Sequence, residues 1–127
     1  MRERYSNRKL YFEEQAATTT KYIVTYIEEV KQIKPESRIL EISCSEAGNL
    51  KPFVDMQCAC VGVDINEYTI KLAVDFYTGN SNAPKFFLKN IYDATKDELG
   101  EFDIIILRDV IEHIFDQERF MVFIKQF

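Results

Sequence analysis

The chain has 127 residues, 46% of them apolar and 29% charged, with a net charge of −5 at pH 7. That length suits one domain with a real core, and that balance is the ordinary one of a soluble globular protein. A negative chain without a basic stripe excludes nucleic acid as the main partner; no apolar run nears the roughly 20 residues of a membrane span, so no membrane partner and a cytoplasmic location are expected.

Residues 1–8 are polar and read as loose, and residues 9–17 suit a helix. Thr18-Thr19-Thr20 is a poor helix segment and predicts a break or cap there. Beyond it Ile23, Tyr26, Ile27, Val30 and Ile33 recur at steps of three and four, the pattern of an amphipathic helix. Lys34-Pro35 ends it, because the residue before proline is pushed out of the helical region. These amino-terminal helices, residues 1–37, are expected to pack on a domain formed by residues 38–127.

That domain opens with an apolar strand over 38–42, a bend rich in small residues, and a helix over 49–56. A second strand covers 59–64. Asn66 caps a helix over 67–77 whose apolar face is Ile70, Leu72, Ala73 and Phe76. Residues 78–84 form a loop, and a third strand covers 85–89. A short polar stretch then runs to Gly100. The fourth strand, 102–107, is almost wholly apolar, as a strand covered on both faces must be. A last helix starts near Asp116 and carries Phe120, Met121, Phe123, Ile124 and Phe127. Strands alternate with helices and lack period-two alternation, which predicts a three-layer α/β domain with parallel strands and right-handed crossovers. Three cysteines, Cys44, Cys58 and Cys60, read as reduced, buried thiols, and with one histidine no metal site is expected.

The strand, bend and helix around Glu41-Ile42-Ser43-Cys44-Ser45-Glu46-Ala47-Gly48-Asn49 have the local shape of a nucleotide-type cofactor site. Asp64 ends the next strand at about the 20-residue distance at which a carboxylate reaches a ribose. Its two oxygens suit a diol. Glu41 and Asp64 both fall at carboxyl ends of strands, where open α/β sheets bind ligands; Glu41 would face a cationic part of the ligand or orient the bend. Ser43, Ser45 and Gly48 stand at the three places of a G-x-G-x-x-G turn. A Cβ there costs about 1–2 kcal/mol wherever φ is positive and narrows the approach of a ligand. Asp109 and His113, after the fourth strand, are the candidates for substrate contact or proton transfer. A structural role, His113 bonding backbone and Glu112 capping or pairing, stands beside that reading.

The run Leu40-Glu41-Ile42-Ser43-Cys44-Ser45-Glu46-Ala47-Gly48-Asn49-Leu50 resembles the first motif of class I S-adenosylmethionine-dependent methyltransferases. Val61-Gly62-Val63-Asp64-Ile65 is similar to the second motif of that family. Phe102 to Ile114, with Asp109-Val110-Ile111-Glu112-His113, resembles the fourth. The resemblance implies a Rossmann-like fold and S-adenosylmethionine as cofactor. It implies that Glu41, Ser43, Ser45 and Gly48 flank the methionine part, that Asp64 holds the ribose, and that Ile65 packs on the adenine. Asn90 and Ile91 would lie by the adenine amino group and Asp109 by the methyl donor. The acceptor, a small molecule or otherwise, is not named by any motif.

The family's sheet has seven strands, so the resemblance implies an amino-terminal portion that stops after strand four and its helix. Ser43, Ser45 and Ala47 take the places of three glycines. Strand four would then be an open apolar edge, which predicts self-pairing as a homodimer, and the aromatics at 123–127 would lack partners. Two other functions stay open: a catalytically inactive Rossmann-like interaction module, and a nicotinamide-dependent oxidoreductase.

Overall fold

The computed structural model describes residues 2–108 and 110–127, with side chains from residue 7 onward. Four strands form one parallel sheet: β1 (Arg38–Ile42), β2 (Ala59–Asp64), β3 (Lys85–Leu88) and β4 (Ile104–Ile106), in the order β3-β2-β1-β4. Parallel neighbours require crossovers, and these are α3 (Lys51–Asp55), α4 (Glu67–Phe76) and α5 (Lys96–Leu99). Ahead of the sheet lie α1 (Arg2–Thr18) and α2 (Thr25–Val30), and α6 (Gln117–Ile124) follows it. This is the parallel α/β arrangement that the alternation of strands and helices predicts, and the Rossmann-like fold that the motif resemblance implies.

Alternation along β1 divides the core in two. Ile39 packs with Phe12, Leu50, Phe53, Ala73 and Tyr77 on the face covered by α1, α3 and α4. Leu40 and Ile42 join Val61, Val63, Ile91, Phe120 and Ile124 on the other face. Glu41 therefore points the same way as Ile39, beneath α1, and only 2% of it is exposed.

Several expected boundaries move. The amino-terminal segment is helical from Arg2 rather than loose. The threonine run does not break the helix: α1 passes through a π-helical segment, Thr19–Val24, into α2. The hydroxyls of Thr20 and Thr25 donate back to the carbonyls of Ala16 (2.8 Å) and Lys21 (3.1 Å), so they fold into the helix instead of ending it. The helix after the bend begins as a 3-10 turn over Gly48–Leu50, and β4 keeps only three residues of the six expected.

The carboxyl-terminal aromatics do find partners. Phe123 packs on Tyr92 with ring centroids 4.9 Å apart and on Phe127 at 5.9 Å, and the Phe102 amide donates to the Phe127 carbonyl at 2.7 Å. All three cysteines are free and buried. No helix among the described residues is long and apolar enough to cross a membrane.

Candidate functional site

The bend after β1 is held in a conformation that side chains resist. Ser43, Ser45 and Ala47 have φ of 57°, 52° and 65°, all in the left-handed region where only glycine sits without cost. Hydrogen bonds fix it there from several directions. The Ser45 amide donates to Asp64 Oδ2 (2.8 Å) and the Cys44 amide to the Val63 carbonyl (3.1 Å). From beneath, the buried Tyr77 hydroxyl donates to the Ala47 carbonyl at 2.7 Å. The strain gives a prediction. Ser43→Gly should raise the unfolding free energy by about 1 kcal/mol, left-handed strain less glycine entropy. Ser45→Gly should gain nothing, because it also removes the hydroxyl from which the buried Glu46 carboxylate accepts. Urea denaturation reads this, and no gain in Ser43→Gly would mean that the bend is not strained there.

Helix α1 lies along the outer side of the bend. Arg8 forms an ion pair with Glu46, whose carboxylate is fully buried and also accepts from the Ser45 hydroxyl. Gly48 faces Phe12 and Gln15 so closely that a Cβ on it would stand 2.6 Å from the Phe12 carbonyl oxygen. Further along, Thr19 donates to Asn49 Oδ1 (2.7 Å), which also accepts from Arg108 Nη1 (2.9 Å). The Asn49 amide nitrogen in turn donates to Glu41 Oε2 at 2.8 Å, while Glu41 Oε1 has no partner among the described residues. Burial pushes the Glu41 carboxyl up to about 8, against the opposing pull of the Asn49 hydrogen bond and the Arg108 charge. At neutral pH this residue is therefore mostly the neutral acid.

On the strand-tip side a cavity of about 220 Å³ is lined by Ile42, Ser43, Val63, Asp64, Ile65 and residues 89–92, with Val110, Ile114 and Phe120 closing it. Asp64 is half-buried there. Its Oδ1 accepts from the Asn66 amide (2.9 Å) and its Oδ2 from Ser45, and each oxygen keeps a lone pair for another donor. The side-chain oxygen of Asn90 accepts from the Tyr92 amide at 2.9 Å, which caps a 3-10 turn over Ile91–Asp93 and leaves that oxygen one lone pair. Ile65 is exposed and Ile91 buried, one at the rim and one in the wall.

The cavity thus brings together Ser43, Asp64, Ile65, Asn90 and Ile91, with Ser45 just behind. Glu41 and Gly48 are not in its wall. Glu41 is sealed under the bend by Asn49, and Gly48 is covered by α1. His113 is 77% exposed on its side chain, 3.7 Å from Glu112, and outside the lining. Asp109 lies outside the described residues. Cys44 is buried, and burial with the Glu41 and Asp64 charges pushes its thiol far up, the opposite of what a nucleophile needs.

Residues that the sequence did not mark include Arg8, Thr19, Asn49, Tyr77 and Arg108, all of which hold the bend rather than line the cavity. The one available signal was the threonine run, placed where a break was expected and none occurs.

A family model described as a methyltransferase domain matches residues 11–127. No curated protein gives a significant match. Among solved structures, the chain is similar to magnesium protoporphyrin IX methyltransferase from Synechocystis PCC 6803, solved with SAM bound (TM-score 0.64, 16% identity, 87% of this chain and 51% of that one). It is also similar to a phosphoethanolamine N-methyltransferase 2 of Haemonchus contortus in complex with S-adenosylhomocysteine (TM-score 0.67, 19% identity, 81% and 24%). A third likeness is to the YcgJ protein of Bacillus subtilis (TM-score 0.59, 21% identity, 79% and 43%). At these identities the likeness is one of fold, and the chain spans about half or less of each of those proteins.

Proposed function

Because the chain belongs to the methyltransferase domain family, we propose that it binds S-adenosylmethionine at the tips of β1, β2 and β3 and forms the cofactor-binding part of a methyltransferase. The observation that carries this reading is the pairing of the bend with Asp64. The Ser45 amide, at a left-handed φ, fixes one carboxylate oxygen and the Asn66 amide fixes the other. Held so, the carboxylate is aimed before any ligand arrives and loses little freedom on binding.

The residues fit the cofactor. Asp64 offers a carboxylate to a ribose diol, Ile65 and Ile91 offer apolar contact to an adenine, and Asn90 retains an acceptor lone pair. The chain follows a glycine-type course at Ser43, Ser45 and Ala47 although none is glycine. The cavity is smaller than the roughly 300–1,000 Å³ of pockets that enclose a drug-sized ligand, so it takes the adenosine part and leaves the rest to another surface. When bound, the cofactor supplies an electrophilic methyl group on sulfur. The chain's residues contribute proximity and alignment. The acceptor is outside this reading, since acceptor contacts come from variable loops and from segments that longer relatives have.

S-Adenosylhomocysteine at about 100 times its dissociation constant should stabilise the fold by about 2.7 kcal/mol, read as an upward shift in Tm. The left-handed Cβ atoms at the bend favour a second reading, an interaction module that has lost its ligand. Absence of any shift supports that module, and a shift with NADH alone would support an oxidoreductase.

A further inference from the structure

If S-adenosylmethionine lies over Asp64, something must recognise its amino-acid end, and Glu41, sealed beneath the bend, does not reach it. A second pocket, of about 200 Å³, is lined by Tyr11, Glu14, Gln15 and Thr18 of α1 and by Arg108 after β4. It stands on the β4 side of the same bend, since Gln15 abuts Gly48 and Arg108 bonds Asn49. Its wall comes mainly from α1, which covers the Ile39 face of the sheet, whereas the adenosine cavity is walled by Ile42, Val63, Ile91 and Phe120 of the opposite face.

The donor set is specific. Arg108 uses only Nη1, toward Asn49 and Thr19, which leaves Nη2 and Nε without partners among the described residues. Glu14 is exposed and has no partner among them. The Gln15 side-chain oxygen is a buried acceptor without a donor among the described residues, and its amide nitrogen donates to the Tyr11 hydroxyl at 3.1 Å. One free guanidinium fork and one free carboxylate across a small pocket match a ligand that carries one negative and one positive group side by side. A zwitterionic α-amino acid is such a ligand: guanidinium binds carboxylate bidentately, and ammonium suits carboxylate and amide oxygens.

We propose that Arg108 and Glu14 form the subsite for the amino-acid end of the cofactor, Arg108 holding the α-carboxylate and Glu14 the α-ammonium. The proposal rests on the reading that the chain binds S-adenosylmethionine. It makes α1 part of the ligand site and gives the π-helical segment a purpose: Thr19 there bonds both Asn49 and Arg108, which orients the guanidinium.

Titration calorimetry with two ligands tests it. S-Adenosylhomocysteine carries the amino-acid end, and 5′-methylthioadenosine presents the same adenosyl sulfide without it. The wild-type protein should prefer the first by about tenfold or more, the worth of one or two charge-assisted hydrogen bonds. Arg108→Gln and Glu14→Gln should each erase most of that preference, with methylthioadenosine affinity held within about twofold. Glu14→Gln alters an exposed helix residue and leaves the fold intact. Equal affinity of the wild type for both ligands overturns the subsite and spares the adenosine site. Equal loss of both ligands in Arg108→Gln, with no effect of Glu14→Gln, shows that Arg108 only supports the bend and also overturns it. Failure of the wild type to bind either ligand removes the cofactor reading and the subsite with it.

Discussion

Stability of the wild-type protein should fall as pH rises from about 5 to about 8, and Glu41→Gln should abolish that part of the fall. The folded carboxyl is raised to about 8 from an ordinary 4.5, chiefly by burial. Below the unfolded value both states hold the proton and the full stability is present. Between the two values the folded state keeps a proton that the unfolded state has released, so unfolding gains with each step of pH; above the folded value the loss is complete. Linkage puts the total on the order of 5 kcal/mol. Glutamine mimics the neutral acid and can still accept from Asn49, so the variant should be the more stable protein above pH 8 and the two should converge near pH 5. Urea denaturation at a series of pH values reads the difference directly. Parallel curves would show that Glu41 is ionised in the folded protein.

Gly48→Ala should destabilise the protein by about 3 kcal/mol, at the upper end for an overpacked site. The added Cβ would lie 2.6 Å from the Phe12 carbonyl oxygen and 2.9 Å from the Cβ and Oε1 of Gln15. The side-chain oxygen could swing away. The carbonyl belongs to the helix ladder of α1 and cannot, so relief requires α1 to lift off the bend, loosening the Arg8–Glu46 pair and the Thr19–Asn49 hydrogen bond with it. A fall in Tm together with lost amide protection along α1 is the expected signature. An unchanged Tm would mean that α1 is not docked as closely as described.

These two expectations mark where the sequence was readable and where it was not. The strands announced themselves, because parallel strands covered by helices are rich in Ile, Leu and Val, as at 104–106 and, Glu41 apart, at 39–42. Asp64 was readable for a similar reason: a carboxylate at the end of an apolar run has only the strand tip to occupy. Glu41 was harder. It also ends an apolar run, yet it shares its face with Ile39, and period-two counting places it under the helices rather than in the cleft. Gly48 looked like the last glycine of a phosphate-type turn, whereas its missing Cβ makes room for another helix. The docked side of α1 left no apolar periodicity to find. Arg8, Phe12, Gln15 and Thr19 are spaced for one helix face but mix a cation, a ring, an amide and a hydroxyl, and hydrophobic patterning does not register such a stripe.

The bend shows how tertiary structure overrides local preference. Three residues with side chains take left-handed φ because Tyr77, Arg8, Asn49 and Asp64 hold them from every side. Local cost is sustained only where surrounding contacts over-determine the conformation, and such places concentrate at functional sites. The sites of the two proposed ligand halves lie on opposite flanks of this bend, so its geometry decides whether one molecule can span them.

Crystals of the protein soaked with S-adenosylhomocysteine give the most direct test. Density for the ribose on Asp64, with the adenine between Ile65 and Ile91 and the chain of the ligand crossing Ser43, is the predicted result. A ligand seated elsewhere, or a cleft that stays empty at saturating concentration while the bend keeps its course, would contradict the account.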